Sequence, residues 1–243
     1  MSRDSEPLLL VLHAVRILGF AEAPAVAARY GLDTAEADEL LRDAEAYGWV
    51  SYSAFAGAGG WSLTERGRAE NERLLAAELA TTRTHGTDFG GTETGTGTGT
   101  GIGTGGTGTG EVGSDGATTV RDVYREFLPL NARLLRACTD WQLRPTAGDR
   151  LAPNDHSDPA WDVRILDELT GISLALTPLS ARLGSVLTRF RGYDTRFADA
   201  LARARAGENA WVDRTDVDSC HRVWFELHED LIATLGLDRH AHP

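Results

Sequence analysis

The sequence predicts a mainly α protein in two parts: helices around one β-hairpin first, then an all-helical bundle. Three observations carry this. Helix-period apolar stripes, opened by capping residues, recur along most of the chain. One short segment, "WVSYSAF", instead has the aromatic and β-branched character of a strand, and it returns through "AGAGG" to "WSL". Between the two parts, 14 of the 27 glycines lie from Gly86 to Gly116, mostly as Gly-Thr repeats.

The elements follow in order. "SEPLLLVLHAVRILGF" places Pro7 at a first helical position, with apolar residues through Leu18. "APAVAARYGL" is a short helix ended by Gly31. In "DTAEADELLRDAEAYGW", Asp33 and Glu36 have capping-box spacing. Ala37, Leu40, Leu41, Ala44 and Tyr47 form its apolar face, and Gly48 stands where a helix-ending glycine belongs. After the hairpin, Thr64 caps a fourth helix running through Leu74, Leu75 and Leu79.

Composition sets the broad class. Of 243 residues, 42% are hydrophobic and 25% charged, the balance of an ordinary globular protein. The longest apolar run, Leu8–Leu12, is too short to span a bilayer. "MSRDSEP" has no signal-peptide core, so a cytoplasmic protein is expected. Cys138 and Cys220 make neither a disulfide framework nor a CxxC spacing, which fits a reducing compartment. All 24 basic residues are arginine, a mark of genomic composition.

The Gly-Thr tract has little apolar surface to offset its ordering entropy, so a disordered linker is expected over 81–117, with an r.m.s. reach of roughly 30 Å. Gly101–Gly106 matches GxGxxG in letters alone, because no strand precedes it and no helix follows. Residues 1–80 and 118–243 are therefore read as separate folding units.

The order helix, short helix, helix, hairpin, helix, together with "SLTERGRAENERLL", resembles the winged helix-turn-helix domain of bacterial transcriptional regulators of the MarR and PadR type. There, a strand ending in L-T-x-x-G-R leads from the wing into a linker or dimerisation helix. The resemblance covers about residues 5–80. It implies a DNA-binding homodimer whose third helix enters the major groove, with Thr34, Ala35, Glu36, Asp38, Glu39 and Arg42 facing DNA and Arg66 and Arg68 near phosphate.

The charge departs from that pattern. Asp33–Tyr47 holds six acids and one base, and residues 1–80 hold 13 acids against 7 bases. Phosphate neutralisation supplies much of the affinity for nucleic acid, and a basic patch is its footprint. Arg16 could still reach phosphate. The alternative is a winged-helix interaction module that does not bind DNA, its acidic third helix docking a basic partner.

Residues 118–243 read as a helical effector or dimerisation domain. A long helix is kinked or broken near Pro129; another starts at Asp158–Pro159 and is interrupted by Pro178; "DTRFADALARARAG" ends at Gly207. The last helix carries Val217, Cys220, Trp224, Leu227, Leu231 and Leu235 on one stripe. Two segments are dense in chemistry, "PNDHSDPAWD" and "DSCHRVWFELHED". Trp141, His156, Trp161, His221, Trp224 and His228 are the candidates to line a small-molecule effector site, since aromatic bodies with polar tips suit such pockets. Other readings of the two histidines are core-edge groups bonded to carboxylates, or metal ligands. At roughly 10 Å apart along a helix, His221 and His228 cannot chelate one ion by themselves. Asn154–Asp158 reads as an Asx-type cap. No nucleophile elbow, P-loop or zinc motif is present, so neither an enzyme nor a cofactor is expected.

Overall fold

Each helix begins where a residue can satisfy the free N–H groups of its first turn. In a computed structural model describing residues 2–55, 57–82 and 115–237, Pro7 opens α1 (Pro7–Leu18) and Gly31, at φ 68°, closes α2 (Ala23–Tyr30). Asp33 Oδ1 accepts from the Ala35 and Glu36 N–H groups to start α3 (Thr34–Ala46). β1 (Val50–Phe55) and β2 (Ala58–Leu63) pair antiparallel, with Val50 opposite Leu63 and Phe55 opposite Ala58. Thr64 then accepts from Gly67 N–H to cap α4 (Glu65–Thr81). Its hydroxyl also donates to the Gly48 carbonyl at 2.7 Å, tying the exit of β2 to the end of α3.

The remainder is helical: α5 (Gly116–Gln142), α6 (Pro159–Val186), a 3-10 turn (Thr188–Phe190), α7 (Tyr193–Arg205), the short α8 (Ala210–Asp213) and α9 (Cys220–Leu235). Two expectations need correcting. Neither Pro129 nor Pro178 breaks its helix; each lies inside one continuous element. A proline frees the carbonyl four residues earlier, here those of Arg125 and Leu174. Both of those residues and both prolines are exposed, so water can take the lost bond, while Phe127, Leu134, Leu176 and Leu179 anchor the helices inward. The last helix also starts later than its apolar stripe suggested. Ser219 caps it by accepting from Arg222 N–H, which leaves Val217 in the preceding turn.

The tract from Gly86 lies outside the described residues up to 114, but the expected linker span was too long. Thr81 belongs to α4, while Gly116 and Ala117 belong to α5. The chain leaves and re-enters the fold at one place, since a Cβ on Gly116 would run into the Thr82 side chain.

Two apolar cores form. One gathers Val11, Leu12, Val15, Val26, Leu41 and Trp61. The other runs through the later helices, from Val120 and Phe127 to Trp224 and Ile232. A small third cluster of Leu9, Leu75 and Ala233 joins α1 and α4 to α9. The two parts read as separate units from the sequence therefore meet across a buried junction.

Candidate functional site

The junction is polar at its centre. Asp230 on α9 and Arg189 in the 3-10 turn are both fully buried, and Arg189 donates to Asp230. His13 Nε2 on α1 lies 2.9 Å from Asp230 Oδ1, and Tyr193 donates its hydroxyl to Oδ2 at 3.1 Å. Arg189 also donates from Nε to Glu78 on α4 at 3.1 Å and from Nη2 to Thr234 at 2.7 Å. His13 Nδ1 sits 3.4 Å from Asn71 on α4. Nearby, Arg16 binds Glu229 at 2.8 Å and Glu72 at 3.0 Å. Arg16 therefore faces α9 and is not available to DNA phosphate.

Desolvating these charges is costly unless every partner is present, so the network demands one arrangement of α1, α4, α9 and the 3-10 turn. Burial would raise the Asp230 pKa, but Arg189 and His13 overcome it and hold the carboxyl well below its ordinary range. Burial, reinforced by Arg189 and Arg16, lowers the His13 pKa below 6.5 despite the opposing pull of Asp230. The native state then binds fewer protons at His13 than the unfolded chain once pH falls through 6.5, so stability declines with acidification. The unfolding free energy is expected to fall between pH 7.5 and 5.5 through this group. Urea titrations at the two pH values check this: His13→Gln should flatten the slope, and an unchanged slope counts against the assignment.

The residues expected at DNA lie on α3 and at the start of α4. Thr34, Ala35, Glu36, Glu39 and Arg42 are exposed on α3, Asp38 is half-buried, and Arg66 and Arg68 are exposed at the start of α4. Arg42, 72% exposed, is not free: its Nη2 lies 2.7 Å from Asp38 one turn back. Beside it, a cavity of about 640 Å³ is walled by Glu22, Ala23, Asp38, Arg42, Glu45, Tyr52 and Trp61. Tyr52 packs edge-on against Trp61 with ring centres 5.1 Å apart, and Glu45 accepts from Tyr52 N–H at 3.2 Å. Three carboxylates thus face one ion-paired arginine over an aromatic floor.

Five of the six residues expected at an effector site fall into two groups. Trp141, His156 and Trp161 lie together where α5 ends and α6 begins. The Trp141 and His156 rings are 4.5 Å apart, and Trp161 Nε1 donates to the Asp140 carbonyl at 2.8 Å. His156 adopts φ 57°, a left-handed conformation uncommon for a side-chain-bearing residue. It is clamped by Asn154 Oδ1, which accepts its N–H at 3.2 Å, and by Asp162 Oδ2, 3.0 Å from Nδ1. Asn154 Nδ2 in turn donates to the Trp141 carbonyl and to Asp162, and Asp158 caps α6. These bonds match the Asx-type reading of the segment.

Trp224 and His228, on α9, pack against an earlier part of α5. Trp224 stacks on Phe127 at 4.5 Å and donates Nε1 to Asn131 at 2.9 Å, while His228 packs on Tyr124 and Phe127. Phe127 and Trp141 are 14 residues apart on one helix, roughly 21 Å along its axis, so the two groups share no wall. Trp224 and Trp141 are core residues with anchored N–H or carbonyl groups. His221 is half-buried in the first turn of α9. Among the described residues no group of three His, Cys, Asp or Glu could hold a metal ion, and both cysteines are free and buried. No described helix is long and apolar enough to cross a membrane.

The junction network was missed from the sequence. Its one signal was the acids Glu229 and Asp230 in "FELHEDL", set between the apolar Leu227 and Leu231. Scans of protein-family models, of curated proteins and of solved structures each returned no match to this chain.

Proposed function

We propose that this chain is a winged-helix interaction protein, without enzymatic activity of its own, whose α3–hairpin face docks an arginine- or lysine-bearing protein segment. The acidic aromatic groove carries this reading. Glu22, Asp38 and Glu45 surround Tyr52 and Trp61, and the arginine in the wall is already paired with Asp38. Carboxylates over aromatic rings suit a guanidinium or ammonium group, through charge-assisted hydrogen bonds and cation–π contact. The same surface repels a phosphate backbone.

A second reading, a homodimeric DNA-binding regulator with its effector domain in the later helices, is favoured by one observation. The outer face of α3 and, at the start of α4, Arg66 and Arg68 are exposed, as a recognition helix requires. On that reading Arg42 is the reading side chain and must leave Asp38 to reach a base.

One set of titrations separates the two. An arginine-rich 12-residue peptide should bind the full chain, and Asp38→Asn/Glu45→Gln should weaken it about tenfold. The charge-matched remote variant Asp122→Asn/Asp199→Asn should weaken it far less. Equal losses in both variants would show a general field effect and remove the groove proposal. Binding-site selection on duplex DNA at low salt checks the regulator: enrichment of a palindromic site, lost in Arg42→Ala, would replace the interaction reading.

A further inference from the structure

A second cavity, of about 390 Å³, opens where the end of α2 faces the turn after α6. Its wall is Asp4, Ser5, Leu10, Arg29, Tyr30, Thr188, Arg189 and Arg191. The leading segment closes one side: Arg3 N–H donates to the Val186 carbonyl, Thr188 N–H donates to the Arg3 carbonyl, and Thr188 Oγ1 donates to Asp4 at 2.7 Å. Neither the groove on α3 nor the two aromatic groups share this wall.

Its polar groups are incompletely used. The Arg29 side chain is 7% exposed, with its guanidinium between the rings of Tyr30 and Tyr193 at 4.7 and 4.6 Å. Its Nε stands 3.4 Å from Glu226 without a hydrogen bond, and its Nη2 has no hydrogen-bond partner. The Tyr30 hydroxyl and Ser5 Oγ are likewise buried without a partner. Buried donors are normally bonded, so four such atoms on three residues of one wall are unusual. Arg191 is exposed and has no ion-pair partner among the described residues.

Charge around the cavity favours an anion. Glu226 is shared by Arg29, Arg196 at 2.8 Å and Arg222 at 3.3 Å, three guanidinium groups on one carboxylate. Arg196 has a second acid in Asp218, and Arg189 is neutralised by Asp230 and Glu78. Arg29 and Arg191 remain under-compensated, against Asp4 at the rim. A planar or tetrahedral oxyanion offers acceptors only, which is what a guanidinium edge and two hydroxyl groups need.

We infer that this cavity binds a small oxyanion, a carboxylate or phosphoryl group, through Arg29, Arg191, Tyr30 and Ser5. Tyr30 and Arg29 end α2, which packs against α3, so the occupied site braces the base of the helix that carries the groove. Binding itself does not depend on what that groove engages.

Calorimetric titration of the full chain with inorganic phosphate and with acetate, at ionic strength balanced with sodium chloride, tests the site. Saturable binding is expected, and tighter binding of one probe identifies the phosphoryl or carboxylate class. Arg191→Ala, an exposed change that should leave the thermal midpoint in place, is expected to weaken binding about tenfold. Tyr30→Phe should weaken it a few-fold. Asp4→Asn, which keeps an oxygen for Thr188 and removes the opposing charge, should strengthen it a few-fold. Hydrogen exchange at saturating probe should slow at residues 4–10, 26–30 and 187–193. Heat no greater than that of chloride, equal affinity in wild type, Arg191→Ala and Asp4→Asn, or protection confined to other segments would overturn the inference.

Discussion

Asp230→Ala is expected to remove about 3 kcal/mol or more of unfolding free energy, the usual outcome when one member of a buried ion pair is deleted. The size follows from what is left behind. The Arg189 side chain has no solvent exposure, and after losing Asp230 the carboxylate left against it among the described residues is Glu78. Tyr193 loses the acceptor of its hydroxyl, and His13 loses the partner of Nε2. Urea unfolding of the purified variant reads the loss. The triple variant Asp230→Leu/Arg189→Met/Glu78→Gln removes all three charges and should lie closer to wild type than Asp230→Ala, because the penalty comes from the orphaned charge. Hydrogen exchange in α1 and α9 should rise together in the single variant, since the network bonds both. A single-variant loss within about 0.5 kcal/mol, the range of a surface change, would mean that the junction does not depend on the Asp230 network.

Gly67→Ala is the second large effect, expected at about 3 kcal/mol from overpacking. Gly67 lies in the first turn of α4, where its N–H bonds the Thr64 cap and its Cα faces the backbone of Trp49. A methyl group there would overlap the Trp49 carbonyl, and backbone cannot swing aside as a long side chain can. That carbonyl already accepts from Thr64 N–H at 3.0 Å, so a shift would also undo the seam between the hairpin and α4. Thermal unfolding should show the loss, and the fluorescence of Trp49 and Trp61 should report the displaced hairpin. By contrast Ala69→Gly, at an exposed position one half-turn on, should cost only about 1 kcal/mol of helix propensity. If the two variants matched, close approach would not be why a glycine stands in "LTERGR".

Much of the fold was legible because local chemistry governs where elements start and stop. Pro7, Asp33, Thr64 and Asp158 each mark a helix start found in the structure, and Gly31 and Gly48 mark ends through their positive φ. The prolines misled for a reason outside the local rule. Whether Pro129 or Pro178 stops a helix depends on which side its freed carbonyl faces, and that is set by packing. The candidate sites were less legible. Tryptophan and histidine marked the dense segments, but Trp224 and Trp141 proved to be packed core groups, set apart along α5.

From its sequence alone, this protein is determined to be mainly α, with one hairpin, a glycine–threonine tract dividing two helical regions, and an acidic third helix. Those features depend on residues a few positions apart, and spacing along the chain is enough to read them. Only the tertiary structure decided that His13, Asn71, Glu78, Arg189 and Asp230 meet, although they span more than two hundred positions. It also decided that Ser5, Arg29, Tyr30 and Arg191 wall one cavity. An arginine or aspartate looks the same in a sequence whether it faces water or another charge. Burial separates the two cases, and burial is a property of the whole fold.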